Sequence, residues 1–169
     1  MLINFASGTH PFPAPWRNLD LNTHPGVDEH VDLTAGLGTA ADIELAYVGH
    51  FLEHLLYSEA LAFLTRVRAA TRPGGRIVIV VPDSDRAAAM AQAGTIGTDL
   101  IDAIRPHGHR DGNDVSHIHA WKCTPRKVQW LLEQANFTDP AEIRFDDFPA
   151  LGIPVITDAP WQLAMTATA

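Results

Sequence analysis

Hydrophobic positions along the chain follow two rhythms, and each change from one to the other marks an element. Ile43 to Val48 is a short run dominated by apolar residues, the pattern of a buried strand. Ala60, Leu61, Leu64 and Val67 then recur at helical spacing, with Ser58 as the candidate N-cap. Pro73-Gly74-Gly75 ends that helix and predicts a turn. Ile77 to Val81 follows as an unbroken β-branched run, as expected of a strand covered on both faces. Strand, helix, turn and strand within about 40 residues make one right-handed βαβ unit of a parallel sheet.

The same reading divides the rest of the chain. Met1 to Phe5, Arg17 to Leu21 and His30 to Leu33 predict three short strands before the central unit. Pro11, Pro13 and Pro15 make a helix between the first two improbable. After Pro82-Asp83, the segment 84–123 carries short helical patterns at Ala87 to Ala93 and Asp99 to Ile104. Thr124-Pro125 is an N-cap followed by proline at the first helical position, with Val128, Leu131, Leu132 and Ala135 as the buried stripe. Asn136 stands where that helix should end in a left-handed residue. Ile143 to Phe148 and Trp161 to Thr168 predict two closing strands.

The spacing has a consequence for packing. A parallel crossover normally takes a dozen or more residues, usually a helix. The first three strands are too close in sequence to hold such helices, and no residues ahead of the first strand supply one. An apolar sheet face left uncovered must be buried by something else. A second subunit, making a homodimer or larger oligomer, is the expected cover. The alternative is that Phe12, Trp16 and the prolines fold back as a lid.

Composition narrows the function. With 169 residues, 46% hydrophobic and 19% charged, the chain is expected to form a single domain over residues 1–169. The formal charge is −8, with Lys122 and Lys127 the only lysines, so a nucleic-acid partner is not expected. No apolar run of about 18 residues and no signal peptide is present, so no membrane association is expected. The lone Cys123 suits a reducing compartment, and the expected location is cytoplasmic.

His50-x-Leu52-Glu53-His54 after a strand, then a helix, then Arg72-x-Gly74-Gly75 and a strand ending Pro82-Asp83 carries a resemblance. So do Asn18-x-Asp20 followed by Pro25-Gly26-Val27-Asp28, and the helix from Thr124 to Phe137. The ordered set resembles a class I S-adenosylmethionine-dependent methyltransferase of the short methyltransferase type 11-like group, over nearly the whole chain. The fold class it implies is α/β: a Rossmann-like, mostly parallel seven-stranded sheet with an antiparallel C-terminal pair, here lacking some N-terminal helices. The resemblance implies S-adenosylmethionine as cofactor. It places Ala6, Ser7 and Gly8 at the glycine-rich turn after the first strand, although the family usually has glycine at Ala6 and often cysteine at Ser7. Asp20, with Leu21, takes the ribose position, and Asp32, with Leu33, the position near the adenine amino group. Gly49 and His50 lie at the carboxyl edge, where open α/β sheets bind ligands.

By analogy with the family, residues 84–123 form the substrate-recognition insertion. His107, His109, His117 and His119 fall in it, and two H-x-H pairs invite a metal reading. Nothing around them reads as the strand that would align the rings, so no metal ligands are assigned. His50 and His119 are the candidate catalytic residues, His119 as a general base. His54 is read as structural, and Glu53 as capping or bracing the segment that follows. The activity implied is methyl transfer to a small-molecule or glycan acceptor, at oxygen. A non-catalytic binding or assembly protein on a degenerate methyltransferase fold is the second reading. A nicotinamide-dependent dehydrogenase is the third, and it lacks G-x-G-x-x-G after the first strand.

Overall fold

The computed structural model describes residues 1–97, 119–154 and 159–169. Its strands are β1 (Leu2–Phe5), β2 (Trp16–Asp20), β3 (Glu29–His30), β4 (Ile43–Gly49), β5 (Thr71–Pro82), β6 (Thr138–Glu142) and β7 (Gln162–Thr168). They form one sheet in the order β3-β2-β1-β4-β5-β7-β6, in which β7 alone runs against its neighbours. The α/β class and the mostly parallel seven-stranded sheet are those expected from the sequence.

One face is covered in the ordinary way. α1 (Tyr57–Ala70) and α3 (Pro125–Gln134) bury Phe63, Leu64, Val67, Leu131 and Leu132 against Ile3, Phe5, Ile77, Ile79 and Leu163. Alternation along β5 sends Val78 and Val80 to the other face. α2 (Ser84–Gln92) begins at Asp83, whose carboxylate accepts from the N–H groups of Asp85 and Arg86. α3 has the predicted Thr124 cap and Pro125, and Asn136 ends it at φ 63°.

Among the described residues no α-helix contributes to the apolar cluster on the second face, which aromatic side chains and the short 3-10 helices Phe145–Asp147 and Pro149–Leu151 cover instead. Phe12 packs edge-on to Trp16, with ring centroids 5.1 Å apart, and against Tyr47 at 4.9 Å. Phe148 and Ile153, from the connection between β6 and β7, cover the adjoining part of the face. Trp16 Nε1 donates to the Gly152 carbonyl at 3.2 Å and joins the two pieces of this lid. Phe12 and Trp16 therefore fold back over this face as in the lid alternative, while Pro13 and Pro15 stay exposed.

The lid is pinned by one side chain. Asn18 Oδ1 accepts from the Phe12 N–H at 2.7 Å, and Asn18 Nδ2 donates to the Phe12 carbonyl at 2.9 Å. Asn4 Nδ2 donates to the same Oδ1 at 3.0 Å, and all three residues are buried. The amide thus does for the loop what a neighbouring strand would do, pairing both backbone groups of Phe12.

Several boundaries differ from the sequence reading. β2 runs from Trp16 to Asp20, leaving Leu21 outside it and 66% exposed. β3 is Glu29–His30 and not His30 to Leu33, because the Asp32 carboxylate accepts from the Thr34 N–H and hydroxyl and turns the chain there. Ser58 does not cap α1; the Glu59 carboxylate takes the Leu56 N–H at 2.7 Å. Pro73-Gly74-Gly75 is a bulge within β5, where a Cβ on Gly75 would lie 2.7 Å from the Ile43 carbonyl. The sixth strand is Thr138–Glu142, an edge strand that tolerates Pro140, whereas 143–148 turns away to bring Phe148 onto the second face. The Asp99 to Ile104 pattern and His107, His109 and His117 lie outside the described residues. No helix among the described residues is long and apolar enough to cross a membrane.

Replacing Asn18 with alanine strands the Phe12 N–H and the Phe12 carbonyl, and leaves the Asn4 amide only its bond to the His10 carbonyl. Each stranded group costs ~1–3 kcal/mol, and Asn18→Ala is expected to lower stability by about 2–6 kcal/mol in urea unfolding. Hydrogen bonds from Thr34 hold the Asp32 carboxyl below its ordinary range, with smaller help from the Arg66 charge. A depressed folded pKa stabilises the native state above the ordinary aspartate range, and that contribution fades as pH falls through the lowered value. Thr34→Val should return the Asp32 titration, followed by carboxyl-carbon NMR, towards its ordinary position.

Candidate active site

Register brings the ends of three strands together. Phe5 pairs with Leu19 on one side and Val48 on the other, so the residues that follow, Ala6, Asp20 and Gly49, meet at the carboxyl edge. The strand order reverses between β1 and β4, the position at which open α/β sheets form a ligand crevice.

After β1 the chain turns through Ala6 at φ 53° and Gly8 at φ 52°. The left-handed region costs a non-glycine residue roughly 1–2 kcal/mol, so the turn is maintained by its bonds. The Ser7 N–H donates to the Leu19 carbonyl at 3.1 Å, and the Gly8 N–H donates to Asp20 Oδ2 at 2.8 Å. Asp20 Oδ1 accepts from the Asn22 N–H at 2.8 Å. An ionised carboxylate has about four lone-pair sites, so two remain for ligand hydroxyls. A Cβ built on Gly8 meets nothing within 4 Å, which leaves open space over the turn. The Ser7 hydroxyl is buried and has no hydrogen-bond partner. A tight turn, open space above it and spare carboxylate acceptors fit a ligand with vicinal hydroxyls, such as the ribose of S-adenosylmethionine.

Other predicted residues have different surroundings. Gly49 is required by its own strand, since a Cβ there would stand 2.7 Å from the Tyr47 hydroxyl. Leu33 is buried in the core, with its carbonyl held by Arg66 Nη2 at 2.8 Å, and Asp32 is exposed in its turn.

His50 also adopts a positive φ, 51°, directly after β4. Its Nδ1 lies 3.2 Å from Glu53 Oε1 and its Nε2 lies 2.6 Å from Gln162 Nε2. Gln162 Oε1 accepts from the Ala159 N–H at 2.9 Å, which assigns the amide nitrogen to the histidine. His50 is then the Nδ1–H tautomer, donating to Glu53 and accepting from Gln162. Gln162 also lines a groove of about 220 Å³ bordered by Arg86, Glu142, Arg144 and Asp146.

Glu53 is 1% exposed and stands at the centre of the polar edge. Its charge adds to burial in pushing up both the Tyr47 phenol and the Cys123 thiol, which excludes Cys123 as a ready nucleophile. The Glu53 carbonyl accepts from the Ala120 N–H at 2.6 Å, and the Leu52 carbonyl accepts from Trp121 Nε1 at 3.0 Å. These bonds seat His119 beside His54, with ring centroids 5.0 Å apart. One ligand atom from each of Glu53, His54 and His119 lies within 4.8 Å of the others. Sequence reasoning placed His50 and His119 at the reacting edge but missed Gln162, which carries no local motif and lies 112 residues from His50.

No family model matches the chain, and no curated protein matches it by sequence. Solved structures do match. A SAM-dependent methyltransferase from Archaeoglobus fulgidus aligns at TM-score 0.65 and 15% identity, over 99% of this chain and 85% of that one. The human N-acetylserotonin methyltransferase in complex with SAM aligns at 0.59 and 13%, over 99% of this chain and 46% of that one. A Burkholderia thailandensis 1,6-didemethyltoxoflavin-N1-methyltransferase, with its namesake compound and S-adenosylhomocysteine bound, aligns at 0.58 and 18%, over 99% and 69%. The chain spans about half the length of several matched structures. Strand order, carboxyl-edge turn and structural neighbours agree that this chain has the class I fold of S-adenosylmethionine-dependent methyltransferases.

Proposed function

We propose that the protein binds S-adenosylmethionine and transfers its methyl group to a small-molecule or glycan acceptor, at oxygen. The observation that carries this reading is the turn after β1, with Asp20 at the end of β2 gripping the Gly8 N–H beneath open space. Ala6, Ser7, Gly8 and Gly49 would surround the methionine portion, Asp20 and Leu21 the ribose, and Asp32 and Leu33 the adenine. When bound, the cofactor supplies an electrophilic methyl group on sulfur, and alignment of the acceptor with it provides much of the rate. The bound 1,6-didemethyltoxoflavin in the Burkholderia structure supports a small-molecule acceptor on this fold.

His50 is the imidazole assigned to the acceptor. Its Nδ1–H is fixed by Glu53, so its available base is Nε2, which now accepts from Gln162. An acceptor hydroxyl would take the place of the Gln162 amide at that atom and give its proton to Nε2 as its oxygen takes the methyl group, the sulfur–carbon bond of the cofactor breaking to leave S-adenosylhomocysteine. Fixing the tautomer through a buried carboxylate keeps the receiving lone pair aimed outward.

A second reading, a binding or assembly protein on a degenerate methyltransferase fold, is favoured by Ala6 in a left-handed position and by the prior engagement of both Asp20 oxygens. Calorimetric titration with S-adenosylhomocysteine separates the two. Binding is expected, with Asp20→Asn weakening it by about 1–3 kcal/mol, roughly 5- to 150-fold, while circular dichroism reports that the variant remains folded and NAD is inert. Absence of binding at millimolar ligand removes the methyltransferase reading and leaves the second.

A further inference from the structure

The cluster of Glu53, His54 and His119 is not needed by the cofactor reading and has a chemistry of its own. Glu53 Oε1 is occupied by His50 Nδ1, but Glu53 Oε2 is buried and has no hydrogen-bond partner. A buried carboxylate oxygen without a donor is costly, and a buried acid is ordinarily paired, protonated or coordinated to a metal. A carboxylate oxygen of Glu53 lies within 4.8 Å of a ring nitrogen of His54 and of His119, and His119 is itself 9% exposed. Two imidazoles and one carboxylate are borderline donors of the kind that zinc and its first-row neighbours prefer.

We propose that Glu53, His54 and His119 bind a divalent transition-metal ion, of which zinc is the type. Metal–nitrogen and metal–oxygen bonds of about 2.0–2.2 Å separate ligand atoms by roughly 3–4 Å, so the present spread of up to 4.8 Å closes by about an ångström on binding. Backbone bonds already fix the two parts of the site against each other, since the Ala120 N–H is held by the Glu53 carbonyl. The closure is therefore a matter of side-chain rotation. Three protein ligands leave a coordination position for water or an oxygen-bearing ligand, as in exchangeable sites and unlike closed structural ones. Glu53 then serves two groups, the metal through one oxygen and His50 Nδ1 through the other. In this arrangement the His119 lone pair is engaged by the metal, which replaces the general-base role that the sequence suggested for it.

The test is zinc binding by the full chain, measured by competition with a chromophoric chelator, with Co2+ absorption as a spectroscopic report on coordination. A single zinc ion per chain is expected. His54→Ala, His119→Ala and the near-isosteric Glu53→Gln should each weaken it by roughly 100-fold or more, beyond the 10- to 100-fold cost of losing outer-shell partners. The cobalt bands should be lost in the same variants, while circular dichroism reports that Glu53→Gln remains folded. The double variant His107→Ala/His109→Ala should bind as the wild type does. Absence of zinc binding in the wild type overturns the proposal. So does binding that survives in the three cluster variants but disappears in the double variant. Because S-adenosylhomocysteine is absent from these measurements, their failure is distinct from failure of the cofactor reading.

Discussion

The amide of Asn18, bonded to both backbone groups of Phe12, is the contact on which the unusual half of this structure depends. A parallel sheet must be covered on both faces, and the connections among β1, β2 and β3 are too short to bring helices. A loop can substitute only if its own polar backbone is satisfied as its side chains are buried. Asn18 meets that condition from within β2, and Asn4 adds a buried bond from β1. Phe12 and Trp16 can then lie on Tyr47, and Trp16 reaches Gly152 to bring the β6–β7 connection into the same layer.

The same economy shapes the carboxyl edge. Asp20 sits two residues after Asn18 on β2, on the same face of that strand, and its carboxylate closes the Ser7–Gly8 turn. A side chain that holds the turn in place is thus the one proposed to meet the ribose. Glu53 plays the corresponding part after β4: it orients His50, adds to the burial that raises the Tyr47 and Cys123 pKa values, and brings a carboxylate oxygen within 4.8 Å of ring nitrogens of His54 and His119. Both acids are nearly buried, so their effects on neighbours are little screened by solvent.

The readings that held are those set by local chemistry. The β-branched run at Ile77 to Val81, the Thr124-Pro125 start of α3 and the left-handed Asn136 all stand where the sequence put them. Those that shifted were decided by competing contacts. The segment with Ile143, Phe145 and Phe148 looks like a strand because burial on a lid and burial in a sheet select the same residue types. Ser58 has the right chemistry for a cap, yet Glu59 reaches the Leu56 N–H first. Asp32 and Thr34 compete with strand pairing by bonding each other, and β3 stops.

The sequence by itself determined the α/β class, the order of elements, the short connections that exclude early helices and the placing of Asp20 and His50 at strand ends. These follow from periodicity, caps and turn residues, whose energies act over a few neighbours in the chain. Only the tertiary structure decided that the chain covers its own sheet, that Gln162 reaches His50 and that Glu53, His54 and His119 converge. Those outcomes depend on which strands become neighbours and on backbone bonds between distant segments. Side chains brought together in that way carry no mark of the meeting in their own stretch of sequence.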